Sequence, residues 1–96
     1  MADVEASATD LILATGSAPR PLPGLDADQE RVIDSDEALR RDHLPRSVTI
    51  VGAGAIGVEW ASLYGDLGAE VRLVEFMDRI VPLEDPDISK ELSRLF

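Results

Sequence analysis

The sequence predicts an α/β fold built on a βαβ unit with two parallel strands, and three observations predict it. A run of β-branched residues at 48–51 is typical of a buried strand. A glycine-rich turn follows at once, and residues 58–67 then have the composition of a helix that ends before Gly68, a glycine suited to a left-handed C-terminal position. Residues 71–75 alternate in polarity and predict a second strand. Two strands do not complete a sheet of this class, so we expect an incomplete piece of a larger fold.

Shorter elements are predicted before this unit. The continuous apolar run 11–14 ends in a Thr-Gly pair, which favours a strand buried on both faces. Three prolines between 19 and 23 predict an extended loop after it. Residues 32–33 have the composition of a short strand, and capping residues followed by acids favour a short helix over 36–41.

A further helix is predicted after the second strand. The pair Asp85-Pro86 is a helix-start signal, because an acceptor side chain precedes a proline that gives up no needed N–H group. We expect this helix to continue to the last residue, with one apolar face formed by Ile88, Leu92, Leu95 and Phe96. On the central helix, Trp60 and Tyr64 lie one turn apart and are expected to pack together.

Composition excludes several classes of function. The 96 residues carry 9 Lys and Arg against 19 Asp and Glu, a formal net charge of −10, which argues against binding nucleic acid or an anionic membrane. The chain has no cysteine and one histidine, so thiolate catalysis and zinc–sulfur sites are excluded within it. The acids at 84–87 lack the spacing of a calcium loop, and we expect no metal site. Without the pattern of a signal peptide, we expect a cytoplasmic location, or the mitochondrial matrix in a eukaryote.

The pattern Gly-x-Gly-x-x-Gly at 52–57 suggests where the chemistry lies. Gly52 allows a tight turn out of the strand, Gly54 lets a pyrophosphate approach the backbone, and Gly57 lets the helix lie close to the strand. Glu75 ends the second predicted strand, about 20 residues after the first glycine, where a carboxylate can accept the hydroxyls of an adenosine ribose. The same carboxylate would repel a 2′-phosphate, which favours NAD over NADP. The plainer alternatives are a tight turn without a ligand and a solvated acid.

Three stretches together resemble the pyridine nucleotide-disulfide oxidoreductases: residues 11–17 with Pro19-Arg20, residues 50–59, and residues 74–75 with 79–82. The resemblance covers residues 8–96. It implies that 1–45 end a FAD-binding domain, with 11–14 as its closing strand, and that 46–96 begin an NAD-binding domain of Rossmann-like βαβ type. It also implies that Glu59 faces the nicotinamide, although an acid in the first turn of a helix is also stabilised by the helix dipole. The cofactor-binding residues it implies are Thr15, Gly16, Ser17, Gly52, Ala53, Gly54, Ala55, Ile56, Gly57, Val58, Glu59 and Glu75.

The function implied by the resemblance is FAD-dependent oxidation of a dithiol with NAD as the acceptor, in a homodimeric parent enzyme. The redox cysteines, the first glycine turn and the catalytic His/Glu pair of such an enzyme do not occur in this sequence, and His43 fits a surface residue. We therefore expect an internal fragment that contains no catalytic residue and is inactive alone, with the dithiol substrate bound by the missing parts. Three alternatives stay open: another FAD/NAD(P)H enzyme of the NADH oxidase or ferredoxin reductase type, a non-catalytic dinucleotide-binding module, and a truncated product that folds poorly.

Overall fold

A parallel pair of strands joined by a helix lies at the centre of the structure. The computed structural model describes residues 3–96, and its elements in chain order are α1 (Ser35–Ala38), β1 (Ser47–Val51), α2 (Ala55–Asp66), β2 (Glu70–Val74) and α3 (Pro86–Leu92). β1 and β2 pair in parallel, with Ser47 opposite Glu70 and Val51 opposite Val74. The predicted α/β class and its βαβ unit are therefore confirmed.

Helix α2 packs on this sheet through one face. Val58, Ala61 and Tyr64 are buried and recur every three residues, as a helix face against a sheet requires. Trp60 stacks on Tyr64 with ring centroids 5.2 Å apart, which agrees with the packing predicted for this pair. The helix ends as predicted, because Gly68 has φ +90° and donates its N–H group to the Gly65 carbonyl.

The small core lies directly behind the glycine turn. It consists of Ala53, Val58 and Val81, and half-buried Leu73, Ile80 and Leu92 pack around it. Val81 reaches this core because residues 76–85, which we call the bracket loop, fold back from the end of β2 toward the turn. The turn is therefore supported from behind by a loop that lies far from it in sequence.

Helix α3 begins as predicted but presents a different face. Asp85 caps its start and Pro86 is its first residue, whereas the helix ends at Leu92 and not at the last residue. The predicted apolar face is only partly buried: Leu92 packs against the core, Ile88, Leu95 and Phe96 are exposed, and Ser89 also turns inward, at 2 % exposure. The physical reason is the contact with the bracket loop, because the Ser89 hydroxyl bonds the Val81 carbonyl and so sets the rotation of the helix.

The segments before β1 differ most from expectation. Residues 11–14 form no strand and are exposed, Ile12 by 90 %, because no strand within residues 3–96 lies beside them to pair with. Residues 32–33 are not a strand either, since the Asp28 carboxylate accepts three successive N–H groups, the last from Val32, and bends the chain. The short helix is α1, shorter than 36–41. A domain boundary at residue 45 stays a prediction, and residues 1–2 of its first part lie outside the described residues.

Candidate functional site

The glycine turn between β1 and α2 has the backbone geometry predicted for it. Gly52 has φ +104°, a conformation that side chains other than glycine rarely adopt, and its N–H group bonds the Val74 carbonyl at 2.8 Å. This hydrogen bond extends the parallel pairing one residue past β1. The chain can then reverse sharply into α2 directly above the end of the sheet.

Gly57 and Gly54 have opposite surroundings. A Cβ atom on Gly57 would collide with the Gly52 carbonyl oxygen and lie 3.0 Å from its carbon, so α2 can approach β1 this closely only without a side chain there. A Cβ atom on Gly54 would meet nothing within 4 Å. The space in front of Gly54 is therefore open, which is what a ligand approaching the backbone needs.

The start of α2 presents unpaired backbone donors. Gly54 is the N-cap and has no side chain to bond the helix, and the first helical bond is from the Val58 N–H group to the Gly54 carbonyl at 3.1 Å. Among residues 3–96, no group accepts a hydrogen bond from the N–H groups of Ala55, Ile56 and Gly57. These three donors and the positive end of the helix dipole suit an anion such as a phosphate.

The carboxylate of Glu75 lies at the same turn. One of its oxygens, Oε2, accepts the Ala53 N–H group at 2.6 Å, and the other, Oε1, accepts the Met77 N–H group at 2.9 Å. The hydrogen bond from Met77, and to a smaller extent that from Ala53, lowers the pKa of Glu75 below its usual 4.5, because each favours the ionised form. Each oxygen keeps an acceptor site for a further donor, so the ionised carboxylate can also accept ribose hydroxyls.

The remaining predicted residues of the turn divide into buried and exposed. Ala53 and Val58 have their side chains in the core, so any contact from them to a nucleotide would be through the backbone. Ala55, Ile56 and Glu59 are exposed. Glu59 borders an apolar groove of about 370 Å³ between α1 and α2, lined by Ser35, Leu39, Ile56, Glu59, Trp60 and Leu63.

The flavin-contact residues inferred from the resemblance are not brought to this site. Thr15, Gly16 and Ser17 lie in an exposed irregular segment, where Gly16 has φ +91°. In the described part of the chain, no hydrogen bond joins them to the glycine turn. Their contact with FAD stays a prediction.

Sequence reasoning missed the support behind the turn. The Val81 N–H group donates to the Ala53 carbonyl at 2.6 Å, and the buried Ser89 hydroxyl donates to the Val81 carbonyl at 3.3 Å. A backbone donor in a loop carries no residue-type signal. Ser89 gave no sign either, because it lies among the polar residues Asp87, Lys90 and Glu91 of the same helix.

No helix in 3–96 is long and apolar enough to cross a bilayer. The same range holds no group of three or more His, Asp or Glu side chains arranged to ligate a metal ion.

Taken together, the parallel strands, the glycine turn and the acid after β2 form a Rossmann-type βαβ unit, the class of fold that binds dinucleotides. The family comparison is more specific. The model of the pyridine nucleotide-disulphide oxidoreductases matches residues 2–96, and the chain belongs to this family. The predicted family is thus confirmed, and FAD and NAD are the cofactors of the family's dihydrolipoyl dehydrogenases.

Several similar proteins are named dihydrolipoyl dehydrogenases. The chain is 54% identical to that of Bacillus subtilis over 85 residues, which is 88% of this chain and 18% of the relative. It is 46% identical to that of Chlorobaculum tepidum over 89 residues, 93% of this chain and 19% of the relative. The mitochondrial protein of Schizosaccharomyces pombe is 42% identical over 94 residues, 98% of this chain and 18% of the relative. The chain therefore spans less than a fifth of the length of these relatives.

Proposed function

We propose that the chain is the part of a flavin-dependent dihydrolipoyl dehydrogenase that binds NAD and contacts FAD. The parent reaction oxidises dihydrolipoamide to lipoamide and reduces NAD to NADH, with release of one proton. A single observation carries the proposal: the ionised Glu75 carboxylate lies on the glycine turn, next to a helix start whose amides have no acceptor among the described residues. The high identity to dihydrolipoyl dehydrogenases supports the same assignment.

In this proposal the pyrophosphate of NAD binds the N–H groups of Ala55, Ile56 and Gly57. It approaches over Gly54, where no side chain blocks the backbone. The adenosine ribose donates its hydroxyls to Glu75. A 2′-phosphate in that position would face an ionised carboxylate, so NAD binds more tightly than NADP.

The chain's residues bind and orient a cofactor, and the redox groups belong to the rest of the parent. Bound FAD supplies the hydride that reduces the nicotinamide. Thr15, Gly16 and Ser17 form no enclosed flavin site within residues 3–96, so we assign no reaction step to them. Because the sequence has no cysteine, we propose that the isolated chain does not oxidise dithiols, and lipoamide-dependent NADH formation by the purified 96-residue chain would contradict this.

Titration of the ¹⁵N-labelled chain with NAD tests binding at the turn. We expect amide shifts at Gly54, Ala55 and Ile56, with a larger dissociation constant for NADP than for NAD. A cooperative thermal melt of the same sample, followed by circular dichroism, establishes that the chain is folded during the titration. A folded chain that shows no shift at millimolar NAD would overturn the assignment of the site.

The DNA that flanks this reading frame tests the parent enzyme. A Cys-x4-Cys pair encoded upstream and a His-x4-Glu pair encoded downstream would support a dihydrolipoyl dehydrogenase. Flanking sequence without the cysteine pair would favour the NADH oxidase or ferredoxin reductase type instead. We further propose a homodimeric parent that works in the cytoplasm, or in the mitochondrial matrix of a eukaryote, since one matched relative is described as mitochondrial.

A further inference from the structure

We propose that Ser89 is a positioning residue for the glycine turn, acting through Val81 on the peptide groups around Ala53. This inference rests on the proposed function, because the turn it positions is the one assigned to the pyrophosphate of NAD. Ser89 lies on α3, and its hydroxyl reaches the turn only through the bracket loop. Three observations support the proposal.

The first observation is that Ala53 is held at both of its backbone groups. Its N–H group donates to Glu75 at 2.6 Å, and its carbonyl accepts the Val81 N–H group at 2.6 Å. Ala53 is fully buried and lies between Gly52 and Gly54, the two most permissive residues of the turn. Fixing the two peptide planes of Ala53 therefore fixes the direction in which the chain enters α2.

The second observation is the conformation of Val81. Its φ of +41° is rare for a β-branched residue, so the surrounding structure must hold it. The Val81 carbonyl accepts the Glu84 N–H group at 2.9 Å and the Ser89 hydroxyl at 3.3 Å. Ser89, at 2 % exposure, is the one buried polar residue among those described, and a hydroxyl this deep is stable only when it is hydrogen-bonded.

The third observation is a second clamp on the same loop. The Arg79 guanidinium donates to the carbonyls of Pro82 and Glu84, at 2.9 and 3.2 Å. These contacts close the bracket loop on either side of Val81. Ser89 holds the bracket loop from α3 at Val81, and Arg79 holds it from within at Pro82 and Glu84, so either contact can be removed separately.

Loss of the Ser89 hydroxyl leaves the Val81 carbonyl with one donor fewer and loosens the Val81–Ala53 bond. The amides at the start of α2 then spread over more orientations, while the Glu75 carboxylate stays bonded to Met77. Binding of ligands that carry a pyrophosphate is therefore weakened, whereas binding of a ligand that contacts only the ribose site is unchanged. General destabilisation of the fold would lower the affinity for both kinds of ligand equally.

The test compares Ser89→Ala with Ser93→Ala in the full 96-residue chain. Ser93 is a matched control, because its hydroxyl also bonds a backbone carbonyl, that of Ser89, at 2.8 Å, but forms no hydrogen bond with the bracket loop in the described part of the chain. Dissociation constants of NAD, ADP and adenosine are measured by NMR titration at a temperature where every variant is folded. For Ser89→Ala we expect those of NAD and ADP to rise about three- to tenfold and that of adenosine to stay within about twofold. Ser93→Ala should change none of them.

Arg79→Lys provides a second variant in case Ser89→Ala does not fold, with the exposed Arg94→Lys as its control. Faster hydrogen exchange of the Val81 amide without ligand is expected in both test variants. If the wild-type chain binds NAD and the test variants bind it equally tightly, the inference is overturned and the proposed function stands. Equal weakening of all three ligands also overturns it. A folded wild-type chain without NAD binding would overturn the proposed function, and the inference with it.

Discussion

Substitution of Gly57 by alanine tests whether α2 lies as close to β1 as the structure places it. The added Cβ atom would overlap the Gly52 carbonyl oxygen and lie 3.7 Å from Ile50 Cγ2. The Gly52 backbone cannot easily move away, because its N–H group bonds the Val74 carbonyl. The first turn of α2 must therefore shift outward, which moves the amide donors away from the end of the sheet.

The magnitude follows from two opposing terms. Overpacking of this kind costs about 1–3 kcal/mol, and rigid backbone as the obstacle places this case in the upper part of that range. Alanine also has a higher helix propensity than glycine, by about 0.8–1.0 kcal/mol. The free energy of unfolding should therefore fall by about 1–2 kcal/mol, with weaker NAD binding in addition.

Gly65→Ala is the matched control in the same helix. A Cβ atom on Gly65 would meet nothing within 4 Å, so only the propensity term remains and the free energy of unfolding should rise by about 0.5–1 kcal/mol. At about 4–8 °C per kcal/mol for a domain of this size, the Tm values of the two variants should differ by at least roughly 6 °C. Thermal unfolding followed by circular dichroism measures this. Equal Tm shifts of the same sign in both variants would refute the close approach of α2 to β1.

Four further predictions concern Glu75 and the aromatic pair. Glu75→Gln should weaken NAD binding about tenfold in calorimetric titration, because a side-chain amide has one oxygen and cannot accept the N–H groups of both Ala53 and Met77 as the carboxylate does. Its control, Glu70→Gln at the exposed start of β2, should have no effect. Glu75→Arg should reduce the preference for NAD over NADP. NAD affinity should be constant from pH 7 to about 5 and should decrease at pH values below the usual Glu pKa of 4.5. The pKa of Glu75 is lowered, so the ionised form that stabilises the turn persists above that lowered pKa and is lost as the pH falls through it. A Glu75→Gln chain with the same loss of affinity in acid would contradict the assignment. Tyr64→Ala should cost about 3–4 kcal/mol in urea unfolding, and Tyr64→Phe less than about 0.5, because the ring and not the hydroxyl packs against Trp60.

The central βαβ unit could be predicted because its signals are local. β-branched residues favour β1, Gly54 and Gly68 delimit α2, and an acid follows β2. The residues that determine each boundary therefore lie within a few positions of that boundary. The parallel pairing then follows from the crossover, since a helix of 12 residues between two strands leaves little alternative. For this part, residue type and spacing determine the structure almost completely.

The errors arose where structure depends on what a segment packs against. The apolar run 11–14 predicted a buried strand, but apolar composition does not say which strand would pair with it, and none lies beside it in the described residues. For α3, the spacing of the apolar residues predicted one apolar face. In the structure Ser89 is the residue that contacts the bracket loop, through the hydrogen bond from its hydroxyl to the Val81 carbonyl. Leu92 packs on the core beside Ser89, but Ile88, Leu95 and Phe96 have no surface in residues 3–96 to cover them.

The role of Glu75 shows why a sequence motif predicts the position of a residue better than its function. The sequence pattern placed an acid at the end of β2 and assigned it to the ribose. In the structure the Ala53 N–H group is fully buried and would have no acceptor without this carboxylate, which makes Glu75 part of the turn before any ligand arrives. A neutral residue at position 75 therefore leaves a buried donor unpaired as well as removing a ribose contact. Because both losses act on the same turn, the effect of Glu75 on NAD affinity should exceed that of a ribose hydrogen bond alone, and adenosine should report only part of it.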